Sequence, residues 1–578
     1  MTSLDTEIEF EELLESFDLE DLNENVIEVD KRDIQKAFKK GQQCCRQGQW
    51  AEAVKHLLTV WSDRPTDKAV LILLAFALVQ LGVREQAIKL LEKVLQYHEP
   101  DADVCAVMLQ LANELELFDI AVKVGNILIS MDPTGAPQHY VNLASAYAAC
   151  ERYDEGVALL QAAIPIFPEH ADLWNVLGTT VRQRDGVEAS LVFFEEGLRL
   201  EPNNFKLLSN HAQNLVMLGD YEGALALDER AIEANPTIAE PRVGAAQFLF
   251  HLGRLDEAWD HYEYRMDSRR KVSQNQIYTH NLPRWEGEDL EGKVLLVAAE
   301  QGIGDEVMWG NYLPRLYERA EKLVIGCDAR LVSIYERSFP GAIVEASIDR
   351  ITQGYRYRSY PKLEKAVKDG SLHIDFAVPL ASAPRYEWHK REDIKRPQSG
   401  FCVPAPDLKA RFAEKIQGIS DRPKVGLAWR SGLAGAMRSY LYASIDDLAP
   451  LMALKDKVDF INLQYGECSS ELEEARDKYG VEIHSFDGVD LKADIEANMA
   501  IASNCDLVIS ACTAPGMFAM GAGTPTLFMI PDKPWWCYGE EEMVPFAFDA
   551  EVVHAEKGAG WPKIMEEIVE RTSRRLGL

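Results

Sequence analysis

A motif of about 34 residues recurs along the first 270 residues and limits the folds that this region can adopt. It is clearest in the unit that begins near residue 171, where Trp174 and Gly178 fall on a first predicted helix. Phe194 and Gly197 fall on a second predicted helix, and Pro202 closes the unit. Small residues at fixed positions let two antiparallel helices approach closely, while large residues fill the seam between units. The pattern therefore predicts a stack of helix pairs.

About seven units share this phase over residues 34–268. The other units carry Gly41, Gly48, Trp50, Ala53, Leu57 and Pro65; Ala75, Gly82, Ala87, Leu91 and Pro100; Leu109, Phe118, Ala121, Leu128 and Pro133; Tyr140, Leu143, Ala144, Tyr147, Tyr153, Gly156, Leu160, Ala163 and Pro168; Ala212, Leu215, Gly219, Tyr221, Ala224, Ala231 and Pro236; and Ala246, Gly253, Leu255, Ala258 and Tyr262. Together they resemble the tetratricopeptide (TPR) family. Such arrays curve and present a concave groove to protein ligands, so the resemblance implies a protein partner. The aromatic residues of the motif are expected in the core.

Composition limits the partners of the chain. Its 578 residues are too many for one core. Hydrophobic content of 47% and charged content of 27% are typical of a globular protein. A net charge of −32 argues against nucleic acid and anionic membranes as partners. It is compatible with a protein partner, and also with a role in solubility alone.

Cysteine usage and hydropathy indicate the compartment. The ten cysteines include no Cys-x-x-Cys pair, which is typical of reduced thiols and not of a disulfide framework or a zinc site. No apolar run reaches the ~18–20 residues of a membrane span. The acidic N-terminus resembles neither a signal peptide nor a transit peptide. We expect a cytoplasmic protein.

Two polar segments flank the repeats. Residues 1–33 are acidic, and the apolar residues among them have the spacing of a short amphipathic helix: Phe10, Leu13, Leu14, Phe17 and Leu19. This segment is either a docking peptide or a weakly packed tail. Residues 269–292 have few periodic positions and are predicted to be a linker wrapped on the next domain.

From Lys293 the pattern changes to apolar runs that alternate with amphipathic stretches, such as the one from Val307 to about Arg319. The predicted strands are Val294–Ala298, Lys322–Ile325, Ile343–Glu345, His373–Val378, Val425–Trp429, Phe460–Gln464, Val481–His484, Leu507–Ser510 and Thr526–Ile530. The proline-rich interval 379–423 predicts a crossover between two Rossmann-like halves, at about 293–400 and 420–578. The predicted fold is therefore multidomain: an all-α array, then an α/β region of two halves. A ligand cleft is expected between the carboxyl ends of their strands.

The loop Glu300–Asp305 follows the first predicted strand and contains Gln301, Gly302 and Gly304. Glycines there let a ligand approach backbone N–H groups, and a helix N-terminus favours anionic groups. Asp305 has two interpretations. It is either a cap of the helix that follows, or a general base that takes a proton from an acceptor hydroxyl.

Three further loops follow strands of the second half. Arg430 and Arg438 are candidates for holding a diphosphate or a sugar carboxylate, unless they are solvated loop arginines. Gln464 lies at another strand end. The loop Cys512–Gly516 opens a helix with small residues that let a phosphate reach N–H groups, unless it is an ordinary turn. Its residues are Cys512, Thr513, Ala514, Pro515 and Gly516.

Residues 284–578 resemble the glycosyltransferase domain that often follows TPR arrays in bacteria, related to heptosyltransferases and more distantly to protein O-GlcNAc transferases. The matching segments are Trp285–Gly287, Glu300–Asp305, Tyr312–Pro314, Gly426–Trp429, Leu463–Gly466, Asp506–Ser510 and Gly521–Pro525, with the junction Ala258–Arg265. The resemblance implies the GT-B fold. It implies that the second half binds a nucleotide-sugar donor and the first half the acceptor, beside Glu300, Gln301, Gly302 and Gly304. It also places Asp305 at the position of the acceptor base.

The chain departs from these relatives at two positions of the donor site. They usually have Asp-Thr where this chain has Cys512-Thr513, and His where it has Met517. Some relatives that modify flagellin with sialic-acid-like sugars share an Ala/Pro/Thr-rich variant of this loop. The α/β region has no Asp-x-Asp motif at a strand end, so a reaction without a metal is expected, with donor phosphates held by N–H groups and arginines.

The sequence therefore predicts a glycosyltransferase whose array holds a protein acceptor, with flagellin as one possibility. Two alternatives stay open: a non-enzymatic TPR scaffold with a degenerate transferase domain, and a transferase that builds lipid-linked or surface glycan. A chain truncated to begin near Gln274 is expected to keep donor hydrolysis and to lose transfer to the partner.

Overall fold

The computed structural model describes residues 31–578, except 82, 100, 268, 271–275, 301, 353–354, 433–440 and 556–559. Within these residues the chain forms a helical array and an α/β region with two large parallel sheets. The predicted fold class is confirmed. The acidic segment lies almost entirely outside the described residues.

The array consists of seven antiparallel helix pairs within the described residues. The helices are α1 Lys31–Arg46, α2 Trp50–Asp63, α3 Lys68–Gln80, α4 Arg84–Tyr97, α5 Ala102–Glu114, α6 Phe118–Met131, α7 Pro137–Ala149, α8 Tyr153–Ala163, α9 Ala171–Asp185, α10 Val187–Leu200, α11 Phe205–Met217, α12 Tyr221–Ala234, α13 Glu240–His251 and α14 Leu255–Tyr262. None of the described helices is long and apolar enough to cross a membrane.

The small residues of the motif lie where helices approach closely. A Cβ on Gly178 would lie 2.6 Å from the ring of Phe194, and one on Gly197 would lie 2.8 Å from Leu207. Tyr140, Tyr147 and Phe194 are buried in the seams. Small and large residues therefore occupy complementary places in the stack, as the motif predicts.

The first half is built on a four-stranded parallel sheet. Its elements are β2 Val294–Ala298, α15 Ile303–Gly310, α16 Leu313–Arg319, β3 Lys322–Cys327, α17 Val332–Ser338, β4 Ile343–Ala346, α18 Pro361–Lys368 and β7 Phe376–Pro379, in the strand order β4-β3-β2-β7. The predicted amphipathic stretch after the glycine loop is two helices, because Gly310 ends the first and Pro314 lies at the start of the second.

A small sheet includes part of residues 269–292, which the sequence predicts to be a linker wrapped on the next domain. Strand β1, Gln276–Tyr278, pairs with β6, Tyr355–Ser359, which also pairs with β5, Ile348–Thr352. None of these three strands was predicted. Trp285, which follows β1, is buried, and its backbone N–H donates to the Ala377 carbonyl at 2.9 Å. This segment is therefore part of the first half.

The second half has a six-stranded parallel sheet in the order β10-β9-β8-β11-β12-β13. Its elements are β8 Lys424–Ala428, α20 Ala449–Met452, β9 Asp459–Asn462, α21 Ser469–Tyr479, β10 Ile483–His484, α22 Ile495–Ala502, β11 Leu507–Ala511, α23 Ala514–Gly521, β12 Thr526–Met529, β13 Ala550–Val553 and α24 Gly560–Leu576. Strand β13 was not predicted; the strands of the second half that were predicted are present within two residues at each end. The crossover contains α19, Pro406–Gln417, and its residue Cys402 donates its N–H to the Gly521 carbonyl at 2.8 Å.

Candidate functional site

The two halves meet at the N-termini of α15 and α23. Gly304 lies so close to Ala514 that a Cβ on Gly304 would be 3.3 Å from the Ala514 Cα. Each helix begins just after a central strand of its sheet, β2 or β11. The glycine loop and the loop Cys512–Gly516 therefore face each other, as two facing halves require.

Asp305 lies in the first turn of α15, three residues after the N-cap Gly302. The Gly302 N–H donates to Asp305 Oδ2 at 3.4 Å. Burial raises the pKa of Asp305 above its ordinary value, the hydrogen bond from Gly302 lowers it, and the charge of Glu300 raises it. Asp305 is therefore a weakly held cap and also a carboxylate whose basicity is raised, and both interpretations remain.

Glu300 is buried and its carboxylate faces the helical array. The Arg265 guanidinium donates to both of its oxygens, at 2.9 and 2.7 Å, and the Ala381 N–H donates to it at 2.8 Å. These bonds occupy the carboxylate, so the structure places Glu300 in the support of the loop and not on its open side. Gly302 is exposed, and Gln301 lies outside the described residues.

Glu306, which the sequence analysis did not single out, is buried beside Asp305. Its two oxygens accept from the Asp328 N–H at 3.3 and 3.1 Å, at the end of β3. Burial raises the pKa of Glu306 to about 8. The residue lines a small cavity with Glu300, Asp305, Trp309, Leu380 and Ala381. Its one sequence signal is a second acid directly after Asp305, which a helix-dipole argument explains equally well.

The loop Cys512–Gly516 leaves the start of α23 open. Thr513 is the N-cap residue, but its side chain does not cap the helix, and its hydroxyl lies 3.4 Å from the Ala511 carbonyl. The first N–H groups of such a helix have no intrahelical acceptor. Pro515 lies in the first turn and contributes no N–H.

The other residues of this loop differ in what they face. Gly516 is packed on the sheet, where a Cβ would lie 2.6 Å from Phe528 and 2.8 Å from Ser510. It therefore has a packing role that the sequence analysis did not foresee. Burial raises the pKa of Cys512 to about 12, and the charge of Asp305 adds to this effect. A protonated thiol is a poor nucleophile, so the raised pKa argues against a nucleophilic role for Cys512.

Arg430 and Gln464 are engaged within the second half. Arg430 pairs with Glu471, with Nε donating to Oε1 at 2.6 Å, and its Nη2 donates to the Glu467 carbonyl at 2.6 Å. Gln464 is buried. It accepts from the N–H groups of Trp429 and Arg430 at 3.0 Å each and donates to two carbonyls. Gln464 therefore joins two strand-end loops, and its contact with a donor stays a prediction.

Arg438 lies outside the described residues, so its predicted place in the donor pocket has no structural account. The described residues contain no cluster of three or more histidine, cysteine, aspartate or glutamate side chains that could hold a metal ion.

An aromatic cluster joins the array to both halves. Its members are Phe250, Trp259, Tyr262, Trp309, Trp388, Trp535 and Tyr538. Trp259 Nε1 donates to the Trp388 carbonyl at 2.7 Å. Phe250 stacks on Trp535 of the second half with ring centroids 5.4 Å apart. The last repeat therefore packs against both halves of the α/β region, a contact that the TPR motif alone did not indicate.

Comparisons with known proteins match the repeats of the array and show similarity to a relative over a longer part of the chain. Tetratricopeptide repeat models match residues 46–111 and 210–268, which confirms the predicted repeats. Protein FlbA of Caulobacter vibrioides is 33% identical over 409 residues, covering 69% of this chain and 67% of that protein.

Solved structures resemble part of the chain. A tetratricopeptide repeat protein from Parabacteroides merdae matches at 15% identity and a TM-score of 0.35, covering 40% of this chain and 91% of that one. A thermophilic TPR protein of Thermus thermophilus matches at 19% identity and a TM-score of 0.26, covering 37% and 98%. Similarities of this size carry no functional information.

Proposed function

The chain belongs to the family of protein FlbA of Caulobacter vibrioides, and we propose that it is a glycosyltransferase of GT-B type. It transfers a sugar from a nucleotide-sugar donor to a hydroxyl of a protein that its TPR array holds. Tetratricopeptide repeats are protein-interaction modules, and the fusion of seven helix pairs to a two-half α/β region supports the proposal.

The observation that carries the proposal is the meeting of α15 and α23. Asp305 lies in the first turn of one helix, and the other begins with N–H groups that its N-cap residue leaves open. A helix N-terminus with open N–H groups favours a phosphate. The starts of the two helices thus offer open N–H groups and a carboxylate of raised pKa, and their backbones approach each other at Gly304 and Ala514.

In the proposed reaction, the ionised Asp305 carboxylate takes the proton of a serine or threonine hydroxyl. The acceptor oxygen forms a bond to the anomeric carbon of the sugar, and the bond from that carbon to the phosphate oxygen breaks. The nucleotide leaves with the bonding electrons, and the N–H groups of α23 stabilise its phosphate. No metal takes part in this proposal, in which Arg430 or Arg438 supplies further positive charge.

Arg430 can contribute only after a rearrangement. Its guanidinium is bound to Glu471, so a donor phosphate must replace that carboxylate. The acceptor protein lies in the groove of the array in this proposal, and flagellin is one candidate for it.

The test is release of nucleotide from a panel of UDP-, GDP-, dTDP- and CMP-sugars, followed with Asp305→Asn. Asparagine keeps an oxygen that can accept from the Gly302 N–H and removes the base. We expect turnover to fall by roughly 10²–10⁴ while the melting temperature stays close to that of the wild type. Asp328→Asn, at the same edge of the sheet, is the matched control and keeps turnover. Normal turnover in Asp305→Asn would show that the carboxylate is only a cap.

A second candidate is a protein-binding scaffold whose α/β region has no enzymatic activity. It is favoured by the engagement of Arg430 and Gln464 within the protein. It predicts that the wild type releases no nucleotide from any donor of the panel and that no donor raises its melting temperature.

A further inference from the structure

The last turn of the helical array reaches into the first half through one side chain. Arg265 lies in a short 3-10 helix, Glu263–Met266, directly after α14. It is buried, and its guanidinium donates to Glu300 at 2.9 and 2.7 Å and to Ser382 Oγ at 2.7 Å. The array thus supplies a residue to the interior of the other domain.

These contacts join the ends of two neighbouring strands. Glu300 follows β2, and Ser382 lies in the 3-10 helix Leu380–Tyr386 that follows β7. The Ala381 N–H also donates to Glu300 at 2.8 Å. Glu300 and Arg265 are both buried and form an ion pair, and Arg265 also pairs with Glu263 at 3.2 Å. Both strand ends are therefore held by a residue of the array.

The same turn packs against the helix that carries Asp305. The Arg265 guanidinium lies 4.2 Å from the centre of the Tyr262 ring, and that ring lies 6.2 Å from Trp309 of α15. Trp309, Glu300 and Asp305 line one small cavity. A change at Arg265 therefore reaches α15 at both ends, at its start through Glu300 and at its last turn through Tyr262 and Trp309.

We propose that Arg265 is a positioning residue of the cleft, which holds the loop Glu300–Asp305 in place from the array and fixes the position of the Glu300 carboxylate. The catalytic part of this inference rests on the proposed function, whereas the positioning of the loop does not. It follows that the array is a component of the site and more than a tether for a partner protein.

The first measurement is hydrogen exchange of the amides of residues 302–306 in the full chain. The variants are Arg265→Met and Arg265→Lys. The lysine keeps the positive charge but lacks the two guanidinium donors, Nε and Nη2, that bind Glu300. The control is His389→Ala, because His389 joins the array to the first half through Asp256 at 2.8 Å, away from Arg265 and Glu263. We expect both Arg265 variants to speed exchange at residues 302–306, by roughly tenfold or more in Arg265→Met. The control leaves that exchange unchanged.

Two exchange results would overturn the proposal. One is unchanged exchange at residues 302–306 in both Arg265 variants. The other is faster exchange that spreads equally over strands β8–β12 of the second half, which would mark Arg265 as a stabiliser of the whole fold. If Arg265→Met does not fold, the hydrogen exchange of residues 302–306 in Arg265→Lys tests the proposal.

The second measurement is nucleotide release from the UDP-, GDP-, dTDP- and CMP-sugar panel. We expect Arg265→Met to lower kcat on the order of 10²-fold through misplacement of the loop, with little change in KM for the donor. Glu300→Gln removes a negative charge beside Asp305, so the pKa of Asp305 falls and the acidic limb of the pH–rate profile moves to lower pH. An unmoved limb would contradict the role of Glu300. A wild type without turnover would remove the glycosyltransferase proposal, while the exchange data still decide the positioning role.

Discussion

Gly304 in the first half and Ala514 in the second are in backbone contact: a Cβ on Gly304 would lie 3.3 Å from the Ala514 Cα. The contact brings the starts of α15 and α23 together, and with them the carboxylate and the open N–H groups on which the proposed chemistry depends. The separation of the two halves at this point is therefore set by the absence of a side chain at residue 304.

Gly304→Val tests this contact. A branched side chain has to displace α23 or the glycine loop, and overpacking of this kind costs about 1–3 kcal/mol of unfolding free energy. Gly302→Val is the matched control, because a Cβ there would meet only Asp305 Oδ2, at 3.5 Å, and the backbone of Gly302 is extended. We expect thermal or urea unfolding to show a loss in the Gly304 variant alone. Equal stability of the two variants would mean that the halves separate freely.

Glu306→Gln is expected to stabilise the protein at alkaline pH. The pKa of Glu306 is raised to about 8 by burial, so its stabilising contribution is complete below the ordinary pKa of glutamate and is lost as the pH rises through 8. The glutamine keeps an acceptor for the Asp328 N–H and has no charge to bury. The advantage of the variant should grow to roughly 3–5 kcal/mol between pH 5 and 9. Melting curves across this range check the expected advantage of the variant. Glu318→Gln, at an exposed position of α16, is the control. A stability difference that does not change with pH would contradict the raised pKa of Glu306.

Glu471→Gln separates two roles of Arg430. If Arg430 binds donor phosphate after leaving Glu471, loss of the competing carboxylate should tighten donor binding, and Arg430→Ala should weaken it by about 1.5–3 kcal/mol. If Arg430 only ties the loop to α21, both variants lower the melting temperature and neither changes affinity. Calorimetry with the donor that the wild type turns over distinguishes these results. Weaker binding in Glu471→Gln would count against the phosphate role.

Cys512 should resist alkylation in the folded protein. Burial raises the pKa of its thiol to about 12, so almost no thiolate is present at pH 8. We expect iodoacetamide to label Cys44 faster than Cys512, as measured by peptide mass spectrometry. Unfolding in urea should remove the difference. Rapid labelling of Cys512 in the folded protein would show an open, activated thiol and would call for a nucleophilic role.

A chain truncated to begin at Gln274 should fail to form the cleft, contrary to the expectation from sequence. It lacks Phe250, Trp259 and Tyr262 of the aromatic cluster, and it leaves Glu300 without Arg265. Breaking a buried pair costs about 3–5 kcal/mol. A chain that begins at Asn203 keeps the last two repeats and is the control. Cooperative melting in the control alone is the expected result, whereas stable folding and turnover of the shorter chain would show that the array is separable.

Local sequence patterns were sufficient to predict most of the elements. The repeat motif predicted the seven helix pairs because small and large residues recur at the period of the stack, and apolar runs predicted most strands of the two large sheets. The small sheet escaped prediction: Tyr355–Ser359 alternates arginine with other residues and lacks an apolar run, and Gln276–Tyr278 is only three residues long. Such strands exist because they pair with each other.

The sequence by itself determined the array, the alternation of strands and helices, and the glycine and small-residue loops at strand ends, since each depends on neighbours a few residues apart. It did not determine what the polar side chains at those loops contact. Glu300 meets Arg265, 35 residues away, and Arg430 meets Glu471, 41 residues away. Only the tertiary structure decided these pairings, because the packing of distant elements determines which opposite charge lies within reach of a side chain that is partly or fully buried.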